Sequence, residues 1–146
     1  MAAAYGPRRP LRQPVPVRKF EGWPALQNIN SARGKRRFAE IEGTDTHDIA
    51  VNGKTFHCTY RLAESDHFEP RPIARGNLAR SMFYMCKEYG FPVEAEMLAT
   101  LKAWNKSDPP TTFERKRAAK IAGLQGRRNP FVENPDLADD LRCPGA

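Results

Sequence analysis

Residues 74–90 read ARGNLARSMFYMCKEYG, Ala74–Gly90. Leu78, Met82, Met85 and Tyr89 recur at spacings of four, three and four, the period of an amphipathic helix. Phe83, Tyr84 and Cys86 widen the apolar face, and Gly90 suits the left-handed residue that closes a helix. Arg75 and Arg80 stand at the start and middle, where each can face solvent or a phosphate. A second helix is predicted over Val93–Lys106, with Met97, Leu98, Leu101 and Trp104 as its buried stripe. Asp108, Pro109 and Pro110 stop it. A third opens at Thr111, where Thr111 and Glu114 form a capping box, each side chain expected to satisfy a free amide of the other. Phe113, Ala118, Ile121 and Leu124 are expected to point inward, and Arg115, Lys116, Arg117 and Lys120 to form a solvated face. Gly126 and Pro130 end this helix. Asn134 and Pro135 then start a short capped turn with Leu137 and Leu141 on its apolar edge.

Upstream, Asp48–Leu62 gives the strand signal. Asn52-Gly53 is a hairpin dipeptide. After it Phe56, Cys58, Tyr60 and Leu62 alternate with Thr55, His57, Thr59 and Arg61, a strand with one apolar face and one polar. Arg37–Glu42 is predicted extended, and Glu64–Pro72 a polar, proline-bearing connection. The order is α+β: a small antiparallel hairpin or sheet followed by three helices and a capped C-terminal turn. Residues 1–21 hold four prolines among Arg8, Arg9, Arg12, Arg18 and Lys19, a composition that favours a disordered basic tail. The alternative is a basic arm adding affinity for nucleic acid. Residues 22–146 form the domain.

With 24 basic against 17 acidic residues the net charge is +7, which favours polyanionic partners, nucleic acid first and an anionic membrane second. No run is long enough to span a membrane, and the first residues lack the apolar stretch of a secretory signal. Cys58, Cys86 and Cys143 have no zinc spacing. One pair can bond in an oxidising compartment and leave one thiol, or all three can stay free. The glycine loops of nucleotide-binding folds, GxSxG and HExxH are all absent.

The chemistry concentrates in PALQNINSARGKRRF, Pro24–Phe38. Asn28 and Asn30 offer neutral oxygens suited to a hard cation. Arg33, Lys35, Arg36 and Arg37 follow, enough charge to hold a phosphate backbone.

Four stretches in order resemble the bacterial endonuclease I family of secreted and periplasmic nucleases: Pro24–Arg33, Gly53–Leu62, Glu69–Gly90 and Leu101–Ala138. Together they cover about Gly22 to Cys143. The resemblance implies part of a ββα-metal fold. In that family a Glu and an Asn hold a divalent ion, usually Mg²⁺, a histidine is the general base, and arginine helps with the phosphate. Carried over by position, Asn30 is the metal ligand, and Arg33 serves local structure or a phosphate contact. Lys35, Arg36, Arg37, Arg75, Arg80, Arg127 and Arg128 are the other candidate nucleic-acid contacts. Arg127 stands where the family has the Asn of its QGN motif.

The family's adjacent Glu-His pair comes well before the Asn. Here 29 residues precede Asn30, none is a histidine, and Glu21, the one carboxylate among them, does not match. His47, His57 and His67 match no catalytic position, so no catalytic residue is assigned. The resemblance therefore implies an N-terminally truncated or degenerate member: an impaired endonuclease acting on DNA, with RNA the other substrate, or a non-catalytic nucleic-acid-binding remnant. A third reading is a partner-binding domain with incidental charge. The resemblance implies periplasm or secretion, although the sequence carries no export signal.

Overall fold

The two-residue hairpin forms where the sequence places it. The computed structural model describes residues 31, 33–43, 46–51, 53–63 and 66–146, with 48–51 and 56–59 described for their backbone only. Strand β2 (His47–Val51) pairs antiparallel with β3 (Lys54–Ala63), closing at Val51↔Lys54, and Gly53 takes φ 75°, as a primed turn requires. Asn52 lies outside the described residues, as do the basic tail and the asparagines of the Pro24–Arg33 stretch.

Two further strands complete the sheet. β1 (Arg37–Phe38) and β4 (His67–Pro70) give the order β1-β4-β3-β2. β4 runs antiparallel to β3 but parallel to β1, so the sheet is mixed. β4 falls inside the segment expected to be a connection. It is four residues long, and Phe68, Glu69 and Pro70 are all buried, so it carries no alternation to read. Its carboxylate is tolerated inside because cations meet it there.

Helix α1 (Pro72–Tyr89) starts on a proline, whose missing N–H costs nothing at that position, and ends on Gly90 at φ 63°. Its phase differs from the expected stripe. Gly76, Ala79, Arg80, Phe83, Tyr84 and Cys86 are buried, while Leu78, Met82 and Tyr89 pack at the edge of the core. The helix is covered on two flanks, so a single apolar stripe does not describe it.

Helix α2 (Ala95–Ser107) buries Leu98, Leu101, Trp104 and Asn105. Helix α3 (Thr112–Gln125) begins with Thr111, whose hydroxyl accepts from the Glu114 N–H at 3.2 Å, and ends at Gly126 with φ 72°. Half of the expected capping box is therefore present. The Glu114 carboxylate does not turn back to the cap; it is buried against Arg80. Phe113 and Leu124, expected inside, are 71% and 74% exposed. A one-turn helix α4 (Pro130–Glu133), capped by Asn129, precedes the 3₁₀ turn Pro135–Ala138, which Asn134 caps.

The core joins Phe38 and Phe68 of the sheet to Phe83, Leu101, Trp104 and Phe131 of the helices. Cys86 is disulfide-bonded to Cys143, and Pro144 accepts from the Val93 N–H at 2.9 Å, so the C-terminal segment is fastened across α1 and α2.

Candidate nucleic-acid interface

The basic cluster is built on a tight turn. The Arg36 N–H donates to the Arg33 carbonyl at 2.9 Å, and Gly34 at φ 52° lets the chain reverse. The Arg37 N–H then bonds to the Asp66 carbonyl at 3.0 Å, which sets β1 in the sheet. Lys35 and Arg37 are exposed, and Arg33 and Arg36 half-buried. Arg37 pairs with Glu94 at 2.8 Å, an exposed contact worth little.

Arg33 differs from its neighbours. Its guanidinium carbon lies 4.5 Å from the centroid of the Phe38 ring, a cation–π contact. Burial pulls its pKa below the ordinary value, yet it remains a cation. Its Nη1 makes only a long contact with the Gly34 carbonyl, 3.4 Å, and its Nε is shielded without a hydrogen-bond partner among the described residues. A half-buried guanidinium can donate from its accessible N–H groups to an anionic oxygen at low desolvation cost.

Arg33 also ends a row of rings that crosses the sheet. Phe38 meets Phe68 edge-on at 6.1 Å, Phe68 stacks on Tyr60 at 5.5 Å, and Tyr60 stacks on His47 at 5.2 Å. The row takes one ring from each strand, so the sheet's packing fixes where Arg33 rests.

The chain after β1 is held by two further contacts that sequence reasoning missed. Glu69, 4% exposed, accepts from the Ile41 N–H at 2.6 Å and pairs with Arg75, with Arg61 at 3.7 Å. The Trp104 indole N–H donates to Glu40 Oε1 at 3.0 Å. No local pattern flags Glu69, because its partners lie 6, 8 and 28 residues away.

The other candidate contacts separate. Arg75 is spent on Glu69 and the Pro70 carbonyl and lies over the Trp104 ring at 5.6 Å. Arg80 is a correction: it is fully buried. Its guanidinium grips Glu114 twice, at 2.8 and 2.6 Å, and also meets Asn105, the Asp108 carbonyl and Asn77. All its N–H groups are used, so it joins α1, α2 and α3 and offers nothing to a phosphate. Arg127 and Arg128 are exposed but paired, with Glu88 at 3.1 Å and Glu133 at 2.7 Å. The Glu133 contact raises the Arg128 pKa.

Asn30, the expected metal ligand, lies outside the described residues. Among the described residues no group of three or more His, Cys, Asp or Glu side chains converges on a metal position. These residues by themselves do not fit a metal cage. His47 stacks on Tyr60 and His67 lies in β4; the side chain of His57 is not described. Among the described residues, no helix is long and apolar enough to cross a membrane.

Residues 12–136 match the family model described as Endonuclease I. The chain belongs to the endonuclease I family. It is 30% identical over 111 residues to an extracellular deoxyribonuclease of Aeromonas hydrophila, covering 76% of this chain and 47% of that protein. A periplasmic deoxyribonuclease of the same organism is 29% identical over 133 residues, 88% of this chain and 54% of the relative. An extracellular ribonuclease of Bacillus subtilis is 32% identical over 137 residues, 81% and 44%. The chain thus spans about half the length of these endonuclease I relatives.

Proposed function

We propose that this endonuclease I domain binds nucleic acid through the Arg33–Arg37 cluster and hydrolyses its phosphodiester bonds with Mg²⁺. The observation that carries the reading is Arg33: a half-buried guanidinium braced on Phe38, two residues before exposed Lys35. A phosphate that meets the accessible part of this guanidinium gains a charge-assisted hydrogen bond in a partly desolvated setting. DNA is the first substrate and RNA the second, because relatives of both names match. The Cys86–Cys143 disulfide is in keeping with a periplasmic or secreted site of action, where such bonds persist. In this reading residues 22–146 are one domain, residues 1–21 a basic tail, and Asn30 a ligand of the ion.

A specific observation favours a second reading, binding without cleavage. The described cations Arg33, Lys35, Arg36 and Arg37 can hold phosphates, whereas among the described residues no group of three or more His, Cys, Asp or Glu side chains converges on a metal position. The two readings part in a plasmid-nicking assay with Mg²⁺ and an EDTA control. Cleavage that EDTA and Asn30→Ala both abolish supports the nuclease; salt-sensitive DNA binding without cleavage supports the binding module. Cleavage that survives Asn30→Ala removes the metal assignment.

A further inference from the structure

Helix α3 is thinly attached for its length. Of its fourteen residues only Glu114 and Ile121 are buried. Phe113 and Leu124, 71% and 74% exposed, are the most exposed large apolar side chains among the described residues. They are eleven positions apart, which puts them about 20° from each other around the helix and about 16 Å apart along it. Lys120 lies within about 40° of both, and Lys116 about 60° from Phe113, so the four share one face.

The cations on and off this face are treated differently. Arg115 is tied to the Val132 carbonyl at 2.9 Å, Arg127 to Glu88, and Arg128 to Glu133. Lys116 and Lys120 are exposed and form no ion pair with a described residue. The face therefore presents unneutralised ammonium groups between an aromatic ring and an aliphatic chain. A surface of that make-up matches a ligand with regularly spaced anions and flat apolar groups.

Helix α3 and strand β4 meet different flanks of α1. Arg75 on one flank of α1 reaches Glu69 in β4, while Arg80, about 140° round the helix, reaches Glu114 in α3. Helix α3 is thus attached on a different flank of α1 from the sheet, whose strand β1 carries the Arg33–Arg37 cluster at its start.

We infer that α3 carries a second nucleic-acid surface, which binds single-stranded DNA or RNA by stacking a base on Phe113 and holding phosphates with Lys116 and Lys120. It rests on the nucleic-acid reading above and extends it to a strand lying outside the cleavage site.

The test is fluorescence anisotropy of a labelled single-stranded 12-mer, titrated with the full chain in EDTA over a range of NaCl, with Mg²⁺-dependent nicking measured in parallel. Lys116→Gln/Lys120→Gln is expected to lower the log–log salt slope by about 1.4. Phe113→Ala is expected to weaken binding about fivefold or more at an unchanged slope, and Phe113→Tyr to restore it. All the altered side chains are exposed, and matching circular dichroism and melting curves confirm the fold. Wild-type affinity and slope in both variants overturn the proposal, and if Lys35→Gln/Arg37→Gln then abolishes binding, the Arg33 cluster alone is the interface. Absence of wild-type oligonucleotide binding overturns both readings together. Wild-type binding that responds to the α3 variants without any nicking leaves this surface standing and removes the nuclease. Loss of binding to phosphatidylglycerol vesicles, with oligonucleotide affinity unchanged, reassigns the face to a membrane. Loss of a dimer in sedimentation, again with affinity unchanged, reassigns it to a second copy of the chain.

Discussion

Helices α2 and α3 are nearly equal in length, thirteen and fourteen residues, and follow one another in the chain, yet they stand in opposite relations to the core. α2 buries Leu98, Leu101, Trp104 and Asn105 and reaches the chain just after β1 through Trp104 and Glu40. α3 is held at its first turn by Glu114 on Arg80, in its middle by Ile121, and by Arg115 on the Val132 carbonyl. One helix is fixed mainly by apolar area, the other chiefly by a buried ion pair. Apolar contacts spread their contribution over many atoms, so each can be lost in part. A buried ion pair concentrates it: removing one partner leaves a charge with nowhere to go.

The largest effect expected from this contrast is at that pair. Glu114→Gln strands the Arg80 cation and should cost about 3–5 kcal/mol in denaturant unfolding. A loss below about 1 kcal/mol would mean that α3 is not held in this way. Leu101→Ala removes a fully buried side chain from α2 and should cost about 2–5 kcal/mol by the same measurement. Gly76→Ala tests the contact between α1 and the end of α2. A Cβ there meets the Asp108 carbonyl oxygen at 1.9 Å and the Arg80 guanidinium nitrogens at 2.9 Å. The backbone must shift, with an expected cost of about 1–3 kcal/mol and a lower melting temperature. At the far end of the scale, Phe113→Ser and Leu124→Ser should each change stability by less than about 0.5 kcal/mol, because neither side chain is packed. A large loss at either would place α3 back in the core and remove the contrast.

The same contrast divides the basic residues. Arg33 and Lys35 stand at the surface end of the sheet, and Lys116 and Lys120 on the outer face of α3. Arg80, equally basic, is sealed between them. Charge along the chain did not separate these roles; burial and partners did.

Much of the fold was legible from local chemistry. Thr111, Gly90 and Gly126 mark helix ends because capping involves only neighbours within a turn. Asn52-Gly53 marks the hairpin for the same reason, and Leu98, Leu101 and Trp104 show the buried face of α2 because one flank of that helix dominates. The Pro24–Phe38 stretch stands out as a candidate site by composition and by its likeness to the endonuclease I family, and its Asn30 lies outside the described residues. The site's support was not legible. Glu69 binds partners 6, 8 and 28 residues away, and the Phe38, Phe68, Tyr60 and His47 rings come from four different strands.

By itself, then, the sequence determined the hairpin, the three longer helices in their order, the marks at several of their ends, the positive charge and the family, all properties of short windows or of their order. Tertiary structure alone decided that β4 lies inside the sheet and that Cys86 pairs with Cys143. It also decided that Glu114 turns from its cap to Arg80, and that Phe113 and Leu124 face outward. The physical reason is the same in each case. A helix period shows which residues share a face, but only the packing of distant segments shows whether that face is covered. A carboxylate three residues from a cap will take a buried guanidinium in preference, because there it neutralises a charge that water cannot reach.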